Sequence, residues 1–112
     1  MSTTLNKAIL LGNLVRDPRL DKTAKEDFVC NATVATNDRN DKPQFTDVVI
    51  WGKLGELFAQ MTKKGSKVYV EGAINTYTNG NITKTEIVVS DFVALDRIAE
   101  TTAKCIEDSI KL

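Results

Sequence analysis

Phe45-Thr46-Asp47-Val48-Val49-Ile50-Trp51-Gly52-Lys53 is the stretch on which the fold turns. β-Branched and apolar residues dominate it, so it reads as a strand whose successive side chains point to opposite faces. Phe45 and Trp51 stand an even number of positions apart and share one face with Asp47 and Val49, leaving Val48 and Ile50 for the other. Trp51 is the only tryptophan, and Lys53 follows two positions later. Aromatics spaced along one strand face beside a lysine suit a surface that stacks unpaired bases. Two rings on a strand are more commonly packed core, and the run alone leaves both readings open.

Working outward, this strand spans roughly Gln44 to Trp51. Upstream, the polar cluster Asn37 to Pro43 separates it from a second strand, Phe28 to Asn37. The first strand is Thr4 to Val15, almost continuously apolar from Ala8 to Leu11. Gly12 within it marks the bend or bulge that a closed barrel needs. Asp17-Pro18 stops that strand and opens a charged loop to about Asp27. Downstream, Leu54, Leu57, Phe58 and Met61 recur at helical spacing, predicting an amphipathic helix over 53–62, closed by Lys63-Lys64-Gly65. Glycine there suits a left-handed cap, and lysines in the last turn suit the macrodipole.

Ser66 to Thr78 and Asn81 to Leu95 read as fourth and fifth strands joined by a type I′ turn at Asn79-Gly80. That turn pairs Tyr77 with Ile82 and places Tyr77 and Lys84 on one face. From Asp96 to Leu112, Ile98, Ala99, Thr102, Ile106 and Ile110 form a helical stripe. The expected fold is mainly β: a five-stranded OB-fold barrel with a helix between strands three and four, and a C-terminal helix. The expected division is residues 1–95 for the barrel and 96–112 for the helical extension.

Composition narrows the function. At 112 residues the chain makes one domain. There is no histidine, and the two cysteines, Cys30 and Cys105, lie far apart. A zinc site or a cysteine–histidine dyad therefore has no parts, and neither an enzyme nor a cofactor is expected. Cys30, in a strand, is expected to be a small buried thiol. No apolar run approaches a membrane span and no secretory signal opens the chain, so the expected location is cytoplasmic. Fifteen basic and fifteen acidic residues cancel. From Ser90 onward there are five acids and three bases, which leaves 12 bases and 10 acids before it. A polyanion site must then come from local clustering rather than bulk charge.

Several blocks carry a resemblance. Asn6-Lys7-Ala8-Ile9-Leu10-Leu11-Gly12-Asn13-Leu14-Val15-Arg16-Asp17-Pro18 resembles the opening of bacterial-type single-stranded-DNA-binding proteins. Ala32 to Asn37, Phe45 to Leu54, Lys63 to Gly72 and Thr85 to Val89 resemble the family's later strands, in its order and spacing, over about residues 6–95. The resemblance implies sequence-nonspecific binding and protection of single-stranded DNA in replication, recombination and repair. It places stacking aromatics at Phe45 and Trp51 and basic positions at Lys53, Lys63 and Lys64. Lys7 and Arg16 belong to the first block, in which Asn6, Asn13 and Asp17-Pro18 suit strand and turn roles.

The chain also departs from the family. Asn40 and Asn79 stand where relatives commonly carry further aromatics, and Tyr77 is the substitute on the hairpin. Thr46 replaces a subunit-contact histidine, and Asp47 replaces a base and would repel phosphate if exposed. The family's disordered linker and acidic tip are not expected, as in compact phage, plasmid or accessory members.

The candidate DNA-contacting set is thus Phe45, Trp51 and Tyr77 for stacking, with Lys7, Arg16, Arg39, Lys53, Lys63, Lys64 and Lys84 for phosphate. Expected partners are single-stranded DNA, further copies of the chain as a dimer or tetramer, and a recombinase or other replication proteins. The setting is a bacterial or phage-infected cell. The alternative, prompted by zero net charge and the appended helix, is an OB-fold accessory module that chiefly binds replication or recombination proteins.

Overall fold

Backbone pairing closes the sheet on itself. The computed structural model describes residues 3–95, so the helix expected over 96–112 lies outside the described residues. The strands are β1 (Ala8–Leu14), β2 (Arg19–Lys22), β3 (Phe28–Asn37), β4 (Pro43–Trp51), β5 (Lys67–Asn79) and β6 (Ile82–Ala94), with helix α1 (Gly52–Met61) between β4 and β5. Five strands run in the ring β1-β5-β6-β4-β3, and β3 returns to β1 through Asn13 opposite Ala35 and Leu14 opposite Val34. The pairs within this ring are antiparallel except β4 with β6. This is the expected OB-fold barrel with its helix in the expected place.

Gly12 permits the closure. A Cβ there would collide with the Ala35 carbonyl oxygen and crowd the Val34 and Thr36 side chains of β3, so only glycine lets β1 approach the strand that completes the ring.

Three local expectations need correction. The segment 17–27, read as a charged loop, contains the sixth strand, β2, which pairs with Phe28–Asn31 of β3. Charged residues hide the strand signal, but its ladder is made of backbone groups, and a charged edge strand resists pairing with other chains. Next, α1 ends at Met61 and is not closed by glycine: Thr62 is extended, and its hydroxyl donates to the Phe58 carbonyl at 2.7 Å. Lys63 and Lys64 therefore lie beyond the last helical turn. Finally, Asn79 pairs with Ile82 and Tyr77 directly with Lys84. The turn is Gly80-Asn81 rather than Asn79-Gly80. Gly80 takes φ +68° while Asn81 stays out of the positive region, as in a type II′ turn with glycine first. Tyr77 and Lys84 still share a face.

Inside the barrel, Val34, Val48, Ile50, Val68 and Val70 are fully buried with Phe58 of α1. Phe58 meets Phe92 of β6 edge-to-face, with centroids 4.9 Å apart and planes at 82°, a favoured aromatic geometry. Cys30 is buried in this core, and burial, helped by the Asp21 charge, pushes its thiol up to about 11. It is an inert packing residue.

Candidate nucleic-acid interface

The outer face of β4 is set by its parity. Phe45 is 63% exposed and Trp51 51% exposed, while Val48 and Ile50 point into the core. Both rings are thus presented outward, separated along the strand by about 20 Å at 3.3 Å per residue. Val49 has the same parity but is buried, so the two rings are separate platforms rather than one continuous stripe. On β3, Ala35 lies opposite Phe45 and Val29 opposite Trp51.

A groove of about 330 Å³ crosses the sheet between these rings. Asp47 and Thr33 line its floor, Tyr77 and Glu86 come from the β5–β6 hairpin, and Arg16, Asp17, Arg19 and Asn31 come from the β1–β2 side. Strand register brings them together: Asp47 lies opposite Thr33 on one side and opposite Glu86 on the other, and Arg19 opposite Asn31. Tyr77 is 40% exposed, with Lys84 directly across the hairpin. Two bases and a tyrosine ring thus line a groove whose floor also carries carboxylates.

Those carboxylates are held by neutral donors. The Thr33 hydroxyl donates to Asp47 Oδ1 at 2.9 Å, and the Asn75 amide donates to Glu86 Oε1 at 3.2 Å. Arg19 Nε pairs with Asp21 at 2.9 Å, outside this pair.

The remaining sequence candidates distribute unevenly. Lys53 is exposed in the first turn of α1, just after Trp51. Lys63 and Lys64 sit on a turn whose amides donate to Ser66 Oγ at 2.9 Å and to Asp17 Oδ1 at 2.7 Å. That turn is pinned beside the Arg16–Asp17 end of the groove. Arg39 occupies the tip of the β3–β4 loop, where the Asp38 carboxylate accepts from the Asn40 and Lys42 amides.

Lys7 belongs elsewhere. Its ammonium pairs with Glu71 Oε1 at 3.1 Å, and Tyr69 donates its hydroxyl to Glu71 Oε2 at 3.0 Å. The lysine, then the tyrosine, hold the Glu71 carboxyl below its ordinary range. Beside this network, Ile9 lies opposite Glu71 and Leu11 opposite Tyr69, and both aliphatics are about half exposed.

The polar residues of the first sequence block brace the backbone, as their strand-and-turn reading expects. Asn6 both donates to and accepts from Ile74 of β5, at 2.8 and 2.9 Å. Asn13 donates to the Gly65 carbonyl at 3.1 Å, and Asp17 accepts from Lys64. Sequence reasoning missed Arg19 and Glu86 as groove residues. The turn at 23–27, where the Thr23 amide donates to the Asp27 carbonyl at 2.8 Å, returns the chain so that 19–22 pairs with β3 and Arg19 lies opposite Asn31. Among the described residues no three histidine, cysteine or acidic side chains gather to hold a metal ion, and no helix is long and apolar enough to cross a membrane.

Known proteins are similar to this chain in sequence. The model of the single-strand binding protein family matches residues 5–95. The single-stranded DNA-binding protein 1 of Chlorobaculum tepidum is 34% identical over 85% of this chain and 67% of its own length. Single-stranded DNA-binding proteins from two strains of Neisseria meningitidis are each 40% identical over 65% of this chain. The match covers about half the length of the Neisseria relatives, 47%. The ring of five strands, the outward rings of β4 and the matched span of sequence agree: the chain belongs to the single-strand binding protein family.

Proposed function

We propose that this protein binds single-stranded DNA along the outer face of β4, without recognising a defined sequence. The observation that carries the reading is the outward presentation of Phe45 and Trp51 on either side of a groove lined by Tyr77, Arg16 and Arg19. Stacking on these rings supplies most of the affinity, because the chain has no net charge to supply it. Lys53, Lys63, Lys64 and Lys84 meet phosphates around the groove, Arg39 extends that path past Phe45, and Lys7 takes no part. In this reading the protein covers unpaired DNA during replication, recombination and repair in the cytoplasm of a bacterial or phage-infected cell, and catalyses nothing.

A second copy is also proposed as a partner. Ile9 and Leu11 expose apolar surface along β1, around the Lys7–Glu71–Tyr69 network, and a homo-oligomer covers such a surface. The test of the main reading is a titration of Trp51 fluorescence with mixed-sequence oligonucleotides of increasing length. Quenching that saturates, with affinity rising with length, is expected. Unchanged fluorescence together with no retention of the oligonucleotide at low salt overturns it, and would favour a module that binds replication or recombination proteins instead.

A further inference from the structure

A surface built only to follow phosphates does not place two carboxylates at its centre. Asp47 of β4 and Glu86 of β6 are direct neighbours across the parallel ladder, and both line the groove with Tyr77. Each spends one oxygen on a neutral donor, Thr33 or Asn75. Among the described residues, no lysine or arginine pairs with either. Each therefore holds an oriented carboxylate whose second oxygen can still accept a hydrogen bond, next to a ring on which a base can lie.

We infer that Asp47 and Glu86 read the edges of stacked bases and bias binding toward bases that carry an exocyclic amino group. This rests on the proposed binding of single-stranded DNA in the same groove. The chemistry is directional. A carboxylate accepts from cytosine N4, as in groove readout of duplexes, and adenine N6 and guanine N2 offer the same kind of donor. Thymine offers a single N3–H flanked by two carbonyl oxygens, so a carboxylate that accepts from it faces repulsion on both sides. The same charges turn the backbone outward, toward Arg16 on the groove wall. The result is a bias in base composition rather than a code, since nothing fixes the order of bases along β4.

The decisive comparison is between oligomers of 5-methyldeoxycytidine and of thymidine of equal length. The two pyrimidines share ring size and methyl group and differ at position 4 and at N3, so stacking differences largely cancel. The wild-type chain is expected to bind the 5-methyldeoxycytidine oligomer at least about five-fold tighter, the low end of what one good base contact discriminates. The D47A/E86Q variant is expected to lose that ratio, chiefly by binding the thymidine oligomer better as repulsion is removed. E86Q alone, which keeps the side-chain size beside Asn75, is expected to reduce the ratio part-way, and circular dichroism checks that both variants fold. Equal wild-type affinities for the two oligomers, or an undiminished ratio in the folded double variant, overturns the inference while leaving DNA binding intact. A wild-type chain that binds neither oligomer at low salt overturns the DNA-binding reading and this inference with it.

Discussion

Trp51 ends β4 and precedes α1, so its ring is fixed by a strand on one side and a helix on the other while half of its surface faces water. Such a ring costs little to remove from the fold and much to remove from a stack. Trp51→Ala is expected to weaken binding of single-stranded DNA by about 5–150-fold, from roughly 1–3 kcal/mol per stacked base. Its stability is expected to stay near wild type, because the change opens no core cavity. Phe45→Ala should behave alike, and because the two rings are about 20 Å apart along the strand, their losses should add in the double variant. Fluorescence-anisotropy titrations of labelled oligonucleotide measure all three. A Trp51 or Phe45 variant of unchanged affinity would remove that ring from the DNA path. That these rings share one face was legible from parity alone, whereas their exposure came from the structure. That Val49 between them is buried was not legible either, because parity assigns a face but not what covers it.

At the scale of the element, β1 shows how a single position governs a closure. Gly12 faces the β3 backbone where the ring is completed, and a methyl group there meets the Ala35 carbonyl oxygen. Gly12→Ala is expected to lower stability by about 1–3 kcal/mol, the usual cost of overpacking. The check is a denaturant midpoint that falls with an unchanged slope. An unchanged midpoint would mean that β1 can shift along β3 without cost. The glycine was legible as a bend in the sequence, but its contact partner, 23 positions along the chain, was not. β2 was missed for a related reason. Arg19-Leu20-Asp21-Lys22 carries little apolar alternation, and its strand character comes from backbone bonds to β3.

At the scale of the whole molecule, charge and shape make one prediction. The groove sets Arg16 and Arg19 against Asp47, Glu86 and Asp17, and the chain is neutral overall. Binding is then dominated by stacking and should respond weakly to salt. The slope of log affinity against log salt is expected to be no steeper than about −3.5, five phosphates at about −0.7 each for single strands. A much steeper slope would show that a more extended basic surface is engaged. The β1 face makes a separate prediction. If Ile9 and Leu11 cover one another between copies, Leu11→Glu should shift the mass measured by light scattering during size exclusion toward the monomer. A wild-type chain that is already monomeric at micromolar concentration would remove the oligomer.

What the sequence by itself determined are the properties carried by short-range pattern. Strand alternation, helical spacing and turn residues located five of the six strands and the helix to within a few residues, and identified Phe45 and Trp51 as paired on one face. It also left no parts for a zinc site or a cysteine–histidine dyad, through the missing histidines. Only the tertiary structure decided what the groove contains. Arg19 reaches it through the register of β2 on β3, and Glu86 reaches it through the parallel pairing of β6 with β4. It also drew Lys7 away into an ion pair with Glu71. Register and ring closure depend on backbone partners far apart in the chain, and a local pattern carries no information about which distant strand supplies them. The pairing of the two rings on one face was therefore readable in the sequence, whereas their outward presentation and the carboxylates set between them became visible only once the barrel had closed.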